Sequence, residues 1–165
     1  MGRPRIDYQN IFYTEDFTAD LSTAMAAVEV DIRTQGTTRF SLLLKLADGS
    51  WVRTRGQAHI ASSLLWHRQR WSIASISDWQ AYDVETLSTG EDVTLTAEDL
   101  ADIRGLGIRA QWPLNERWAR VDQLHLYARN FVLPEPDLPP AHGRQRQRGR
   151  GLHGGRPDVY GHAQR

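Results

Sequence analysis

Residues 38–59 read TRFSLLLKLADGSWVRTRGQAH, and this stretch decides the fold. In the strand predicted over Thr38–Leu46, every second residue is large and apolar: Phe40, Leu42, Leu44 and Leu46. Asp48-Gly49 follows and is a strong signal for a two-residue hairpin turn. Trp51–His59 is then predicted as the returning strand, and one of its faces carries Trp51, Arg53, Arg55 and Gln57.

Further segments extend the β pattern on both sides of this hairpin. Residues Ala26–Arg33 alternate between apolar and largely charged side chains, which is typical of a half-buried strand. Thr96 is predicted to cap a short helical turn that ends before Gly105. The remaining predicted strands lie at the end of Leu64–Ile76 and over Trp79–Val84, Leu106–Trp112 and Ala119–Tyr127.

Together these patterns predict an all-β fold, an antiparallel jelly-roll β-sandwich with one short helical turn. A parallel α/β fold would need repeated long helices, which the sequence does not contain. We assign residues 1–130 to the sandwich domain and residues 131–165 to a tail rich in Pro, Arg and Gly. The tail has too little apolar material to offset the entropy of ordering, so it is predicted to be disordered.

The composition excludes several classes of protein. No cysteine occurs among the 165 residues, which excludes disulfides and thiolate metal sites. The formal net charge is zero, although the tail is basic and the body mildly acidic. The first eight residues lack the apolar region of a signal peptide, and no stretch is long and apolar enough to span a membrane. Taken literally, the sequence predicts a soluble chain that is not exported; a fragment of a longer exported protein would instead be extracellular or belong to the envelope.

The familiar catalytic motifs are missing from the sequence. It contains no His-Glu-x-x-His metal motif, no Gly-x-Ser-x-Gly elbow and no phosphate-binding glycine loop. Its acidic pairs, such as Glu98-Asp99, are adjacent in sequence and point apart in a strand or loop. We therefore expect a protein that is not an enzyme and has no cofactor.

Two segments near the end of the body resemble a known family. Residues 95–108, LTAEDLADIRGLGI, and residues 121–126, VDQLHL, resemble the closing strands of jelly-roll, galactose-binding-like carbohydrate-binding modules and of complex I intermediate-associated proteins. The resemblance implies the sandwich fold and a glycan ligand. Separately, Val132-Leu-Pro-Glu-Pro136 resembles the opening of a PEP-CTERM sorting signal of exported bacterial proteins, without its apolar span.

The same family resemblance implies a structural calcium site. In such modules a carboxylate of the final strand and an acid near the N-terminus help to hold the ion, which here assigns Asp122 together with either Glu15 or Asp16. Calcium takes six to eight oxygen ligands, and the sequence offers only two or three. The domain without metal is therefore the favoured interpretation.

The six tryptophans carry the functional hypothesis. Trp71 and Trp79 lie among apolar neighbours and are assigned to the core. Trp51, Trp112 and Trp118 flank polar positions and are the candidates for exposed rings on which a sugar could stack, although core packing remains open for each.

The leading hypothesis is a non-catalytic carbohydrate-binding module. In it, those three rings stack on the glycan, while Arg53 and Gln57 make polar contacts. The alternative is a structural or protein-interaction domain of an exported or envelope protein, with no small ligand. A third hypothesis is nucleic-acid association through the Arg/Gly tail, for which a solvated extension without function is the favoured alternative.

Overall fold

A computed structural model describes residues 7–61, 63–113 and 118–133 of the chain. Over these ranges the chain forms eleven strands and one short α-helix. The strands are β1 (Asp7–Asp20), β2 (Ala27–Thr34), β3 (Thr38–Lys45), β4 (Trp51–Thr54), β5 (Ala58–Ile60), β6 (Ser63–Ser72), β7 (Trp79–Asp83), β8 (Ser88–Val93), β9 (Ile103–Pro113), β10 (Ala119–Tyr127) and β11 (Arg129–Val132). The helix is α1 (Ala97–Ala101), and Ile73–Ser75 form a single 3₁₀ turn.

The strands form two antiparallel sheets, which confirms the predicted all-β sandwich. The larger sheet has the order β11-β1-β9-β3-β4-β7-β8, and β5 pairs with β3 beside β4. The smaller sheet has the order β10-β2-β6. The arrangement is compatible with a jelly roll, and β11 carries the larger sheet as far as Val132.

The core lies between the two sheets and follows from the period-two pattern of the strands. Val28, Val30 and Ile32 of β2 are completely buried, and they belong to one apolar cluster with the alternate residues of β3 and β9. Trp71 and Trp79 lie in the same cluster, which confirms their assignment to the core. Burial of this apolar surface is the main favourable contribution to folding.

The hairpin of β3 and β4 is confirmed, but its turn and its length differ from the prediction. Gly49 has φ +88° and closes a three-residue loop, since the backbone N–H of Leu46 donates to the carbonyl of Ser50 at 2.8 Å. The returning strand stops at Thr54, before the predicted end at His59. The Thr54 hydroxyl accepts a hydrogen bond from the Leu42 N–H at 3.1 Å, which satisfies a donor in the gap between β4 and β5.

The predicted helical turn is confirmed, whereas one predicted strand is wrong. Thr96 caps α1 by accepting from the Asp99 N–H, and the Asp99 carboxylate accepts in return from the Thr96 N–H. The end of Leu64–Ile76 is a 3₁₀ turn, and the strand of this region is the preceding β6. Over the described residues, no helix is long and apolar enough to cross a membrane. The predicted tail falls outside the described residues from residue 134 onward.

Candidate functional site

The larger sheet curls strongly, and its solvent side is concave. Strands β1 and β7 are separated by β9, β3 and β4, so in a flat sheet they would lie roughly 19 Å apart. Nevertheless the Gln9 side chain of β1 donates from Nε2 to the carbonyl of Leu87, in the loop after β7, at 2.8 Å. The Tyr82 hydroxyl of β7 also lies 3.4 Å from Gln9 Oε1. We call this side of the sheet the concave face.

A second, small apolar cluster forms the floor of the concave face. Leu43, Trp51 and Tyr82 are buried there, and Ile11 and Val84 pack against them. Trp51 is only 7% exposed and Tyr82 only 5% exposed. Burial also raises the pKa of the Tyr82 hydroxyl, which keeps it protonated.

Two glycines of β9 allow the floor to be this close to the backbone. A Cβ atom at Gly105 would lie 3.1 Å from the Cη2 atom of Trp51 and 2.9 Å from the Cβ of Lys45. A Cβ atom at Gly107 would lie 3.1 Å from the Cβ of Tyr13. The indole of Trp51 therefore occupies space that any other residue at position 105 would fill.

A groove of ≈ 750 Å³ opens at one end of the concave face. Its most exposed aromatic residue is Tyr13, with 57% of its surface accessible. The Tyr13 ring meets the Trp51 ring edge-on, with centroids 5.6 Å apart and planes at 77°. Tyr13 is thus an accessible ring whose orientation is supported from below.

The rim of this groove is polar and carries both signs of charge. Lys45 and Glu15 form an ion pair at 2.6 Å on one side. On the other side Asp83 accepts hydrogen bonds from the N–H groups of Thr86 and Glu85, which lowers the pKa of its carboxyl group. The Asp83 carboxylate thereby shapes the loop between β7 and β8, and it is ionised at neutral pH.

Two buried arginines occupy the part of the concave face beside the groove. Arg53 is 9% exposed and Arg109 is 6% exposed. The guanidinium of Arg109 lies 5.7 Å from the centre of the Tyr82 ring, and its Nε donates to Gln9 Oε1 at 2.8 Å. Burial, followed by the positive charge of Arg109, lowers the pKa of Arg53. The Arg53 guanidinium nevertheless stays charged, because an arginine is not deprotonated in a protein.

The structure brings together only part of the predicted ligand site. Trp51 and Arg53 share the concave face, as their spacing in the sequence predicted. Trp112 belongs to the core between the sheets, and Gln57 lines a separate cleft of ≈ 370 Å³ beside Trp71. Trp118 follows the undescribed residues 114–117 and precedes β10, away from the concave face.

Of the two possibilities left open for Trp51 and Trp112, an exposed ring or a packed one, the structure shows the packed ring, because they are only 7% and 9% exposed. The loop after β7 and the lack of a side chain at Gly105 explain the burial of Trp51. Trp118 is partly exposed, but Arg33 and Arg120 lie 5.6 Å and 5.2 Å from its ring centre. A ligand role for these residues stays a prediction.

The two acids assigned to calcium lie on different sheets. Asp16 lies on β1 with φ +68°, and it lines a ≈ 500 Å³ pocket together with the cations Lys45 and Arg104. Asp122 is exposed on β10 and accepts from the N–H of Gln123. In the part of the chain that the structure describes, no group of three or more acidic or histidine side chains could hold a metal ion.

The exposed face of the smaller sheet carries a ladder of ion pairs. Arg68 binds both carboxylate oxygens of Asp31, at 2.8 and 2.9 Å, and Arg70 pairs with Glu29. These arginines lower the pKa of both carboxyl groups, the hydrogen bond to the guanidinium being the largest cause in each. Tyr127 completes the ladder by donating its hydroxyl to Glu29 at 3.1 Å.

Sequence reasoning missed Tyr13, Tyr82 and Arg109 as residues of the concave face. Arg109 alternates with apolar residues of β9, and this pattern could have placed it on the outer side of that strand. No local signal relates it to Tyr82 of β7, because the two come together only through the curl of the sheet. Comparison of the chain with protein-family models, with curated proteins and with solved structures finds no match.

Proposed function

We propose that this domain is a non-catalytic carbohydrate-binding module whose ligand lies in the groove of the concave face. The observation that carries the proposal is the Tyr13 ring, which is 57% exposed and held edge-on by Trp51 beside the groove. The C–H groups of a pyranose pack well on such a ring, since its π face carries partial negative charge. In this proposal Tyr13 takes the stacking role that the sequence assigned to tryptophan.

The rim of the groove supports the same ligand class. Glu15, Asp83 and Glu85 offer carboxylate acceptors for sugar hydroxyl groups, and Lys45 offers a donor. Ligand sites commonly combine an aromatic wall with a few oriented polar groups. Three carboxylates against one ammonium favour a neutral sugar over an acidic one in the groove.

The test is titration of the full chain with a panel of soluble neutral polysaccharides. Binding is monitored by calorimetry and by tryptophan fluorescence. For a glycan that binds, Tyr13→Ala is expected to weaken affinity at least about tenfold, which corresponds to ~1.4 kcal/mol. Phe12→Ala is the matched control. Phe12 is the next residue of β1, is 40% exposed and occupies the opposite face of the strand. If Tyr13→Ala and the unmodified chain bind the glycan with equal affinity, the groove is not the binding site.

A second candidate, a protein-interaction domain, is favoured by the exposed face of the smaller sheet. Trp66 and Tyr127 are each 45% exposed there, among the paired arginines of the ladder. Tryptophan, tyrosine and arginine are the residues most enriched in protein interfaces. The same panel separates the two candidates: if no polysaccharide binds or changes the fluorescence, the interaction domain is the better explanation.

The third hypothesis concerns residues outside the described ranges and stays a prediction. A nucleic-acid role of the Arg/Gly tail predicts binding that weakens steeply with salt. It also predicts that the binding disappears when the chain is cut after Pro140.

A further inference from the structure

Arg53 and Arg109 are two like charges that are buried on the same patch of the concave face. Arg109 of β9 pairs in register with Ser41 of β3. The Ser41 hydroxyl lies 3.5 Å from Nη1 of Arg53, which reaches it from β4. The two arginines are therefore near neighbours on this face, and the charge of Arg109 contributes to the lowered pKa of Arg53.

The partners of both guanidinium groups are neutral. Arg53 donates to the Ser41 hydroxyl, to the Thr54 carbonyl at 3.4 Å and to Gln80 Oε1 at 2.6 Å. Its Nε is shielded from solvent and has no partner among the residues that the structure describes. Arg109 donates to Gln9 Oε1. Each guanidinium has five N–H donors, and in the described part of the chain the Nε of Arg53 is the one buried nitrogen of the two groups without a partner. Among the described residues, no carboxylate forms an ion pair with either arginine.

The Asp92 carboxylate is linked to Arg53 only through the side chain of Gln80. Gln80 accepts from Arg53 with Oε1 and donates from Nε2 to Asp92 at 2.9 Å, while Asp92 itself pairs with the exposed Arg55. An amide thus stands between the buried cation and the carboxylate. Buried charges in proteins are normally paired, because an unpaired buried charge carries a large desolvation cost. Within the described ranges, the pair of arginines has no such counter-charge in direct contact.

We propose that Arg53 and Arg109 form a binding site for one oxyanion: a carboxylate, sulfate or phosphate group. Such an anion supplies the missing negative charge and accepts several N–H groups in the planar, two-pronged geometry that guanidinium groups favour. Gln9 and Gln80 orient the two arginines by accepting one bond from each. The inference does not depend on glycan binding in the groove.

The loop after β7 is tied to Gln9, the residue that accepts a hydrogen bond from Arg109. It is held over the concave face by the hydrogen bond from Gln9 to the carbonyl of Leu87 and by packing of Val84 on the apolar floor. Leu87 has φ +58°, a left-handed conformation that is unfavourable for a residue with a side chain.

The test is calorimetric titration of the full chain with sodium sulfate, sodium phosphate and sodium glucuronate, at an ionic strength held constant with sodium chloride. We expect saturable one-site binding of at least one of the three anions. Tighter binding of glucuronate would identify the carboxylate of an acidic sugar as the source. Tighter binding of sulfate or phosphate would identify an inorganic ion.

Two variants and one control assign the binding to the arginine pair. Arg53→Gln and Arg109→Gln are each expected to weaken anion affinity by about tenfold or more, the loss typical of a hydrogen bond to a charged group. Arg104→Gln is the control, because Arg104 also belongs to β9 but is exposed and paired with Asp102 at 2.7 Å. It should leave the affinity unchanged.

Equal affinities in all three variants would overturn the proposal, as would loss of binding in the control alone. Both test variants are expected to fold in chloride buffer, since each removes one of two mutually repelling charges. Should either fail to fold, the unmodified chain still decides the question. If titration of the unmodified chain with each of the three anions gives no more than the heat of dilution, the site is overturned. A one-site binding curve for any of them supports it.

Discussion

Substitution of Gly105 by alanine tests whether the floor of the concave face is as tightly packed as the structure indicates. The new methyl group would lie 2.9 Å from the Cβ of Lys45, and 3.1 Å from both the Thr14 carbonyl oxygen and the Trp51 ring. Two of these neighbours are fixed to the backbones of the adjacent strands, so relief requires movement of the sheet. Such overpacking costs about 1 to 3 kcal/mol. The reduced entropy of the unfolded chain returns about 0.4 to 1 kcal/mol, so the two mid-range values give an expected net loss of about 1.3 kcal/mol.

Gly56→Ala is the control for this substitution. A Cβ atom at Gly56 would have no other heavy atom within 4 Å, and the residue lies outside the left-handed region. Only the entropic gain applies there, so this variant is expected to be at least as stable as the unmodified chain. Urea unfolding followed by tryptophan fluorescence measures both variants, with an unchanged dependence on denaturant as evidence of the same folded state. Equal midpoints for Gly105→Ala and Gly56→Ala would refute the close approach of β9 to Lys45 and Trp51.

Three further predictions test other parts of the structure. Trp66→Phe is expected to remove most of the acrylamide-accessible tryptophan fluorescence, because Trp66 is 45% exposed whereas Trp51 is 7% exposed; an unchanged quenching constant would contradict this burial pattern. Thr96→Ala removes the cap of α1 and is expected to cost about 0.5 to 2 kcal/mol, measured as a lower urea midpoint; an unchanged midpoint would argue against the capping box. Arg68 lowers the pKa of Asp31 below its ordinary 3.8, so this carboxylate stabilises the fold at neutral pH, and its contribution is lost as the pH falls through the lowered pKa. The loss of stability on acidification from pH 5 to pH 2 should therefore be smaller in Asp31→Asn, and an identical pH profile would show that the ion pair adds nothing.

The elements that could be predicted from the sequence are those with a local signal. The alternation of apolar and polar residues predicted β2 and β9. Gly49 indicated the turn after β3, and Thr96 indicated the start of α1. By contrast, β1 was overlooked, although it is a long strand of the larger sheet. Its sequence does not alternate, because both faces are partly accessible: Phe12 is 40% exposed on one side and Tyr13 57% exposed on the other.

The candidate site was only partly predictable, because it depends on the curl of the sheet. The two-residue repeat of side chains along a strand correctly placed Trp51 and Arg53 on one face. It could not show that the loop after β7 would close over that face, nor that Gly105 would let the Trp51 ring sink toward the backbone. The repeat also wrongly extended this face to Gln57, because the strand ends at Thr54. The features that decide accessibility thus come from residues distant in the sequence.

The strand order of the larger sheet has a consequence for synthesis of the chain. β9 lies between β1 and β3, and β1 in turn lies between β9 and β11. During translation, β1 and β3 leave the ribosome long before β9. Until then β1 has neither of its neighbours, and β3, although paired with β4 and β5, has one edge whose backbone donors and acceptors are unpaired. Contacts this distant in sequence also slow folding. A nascent chain that ends before Ile103 therefore presents open strand edges, and we expect its yield to depend on chaperones that protect such edges from aggregation.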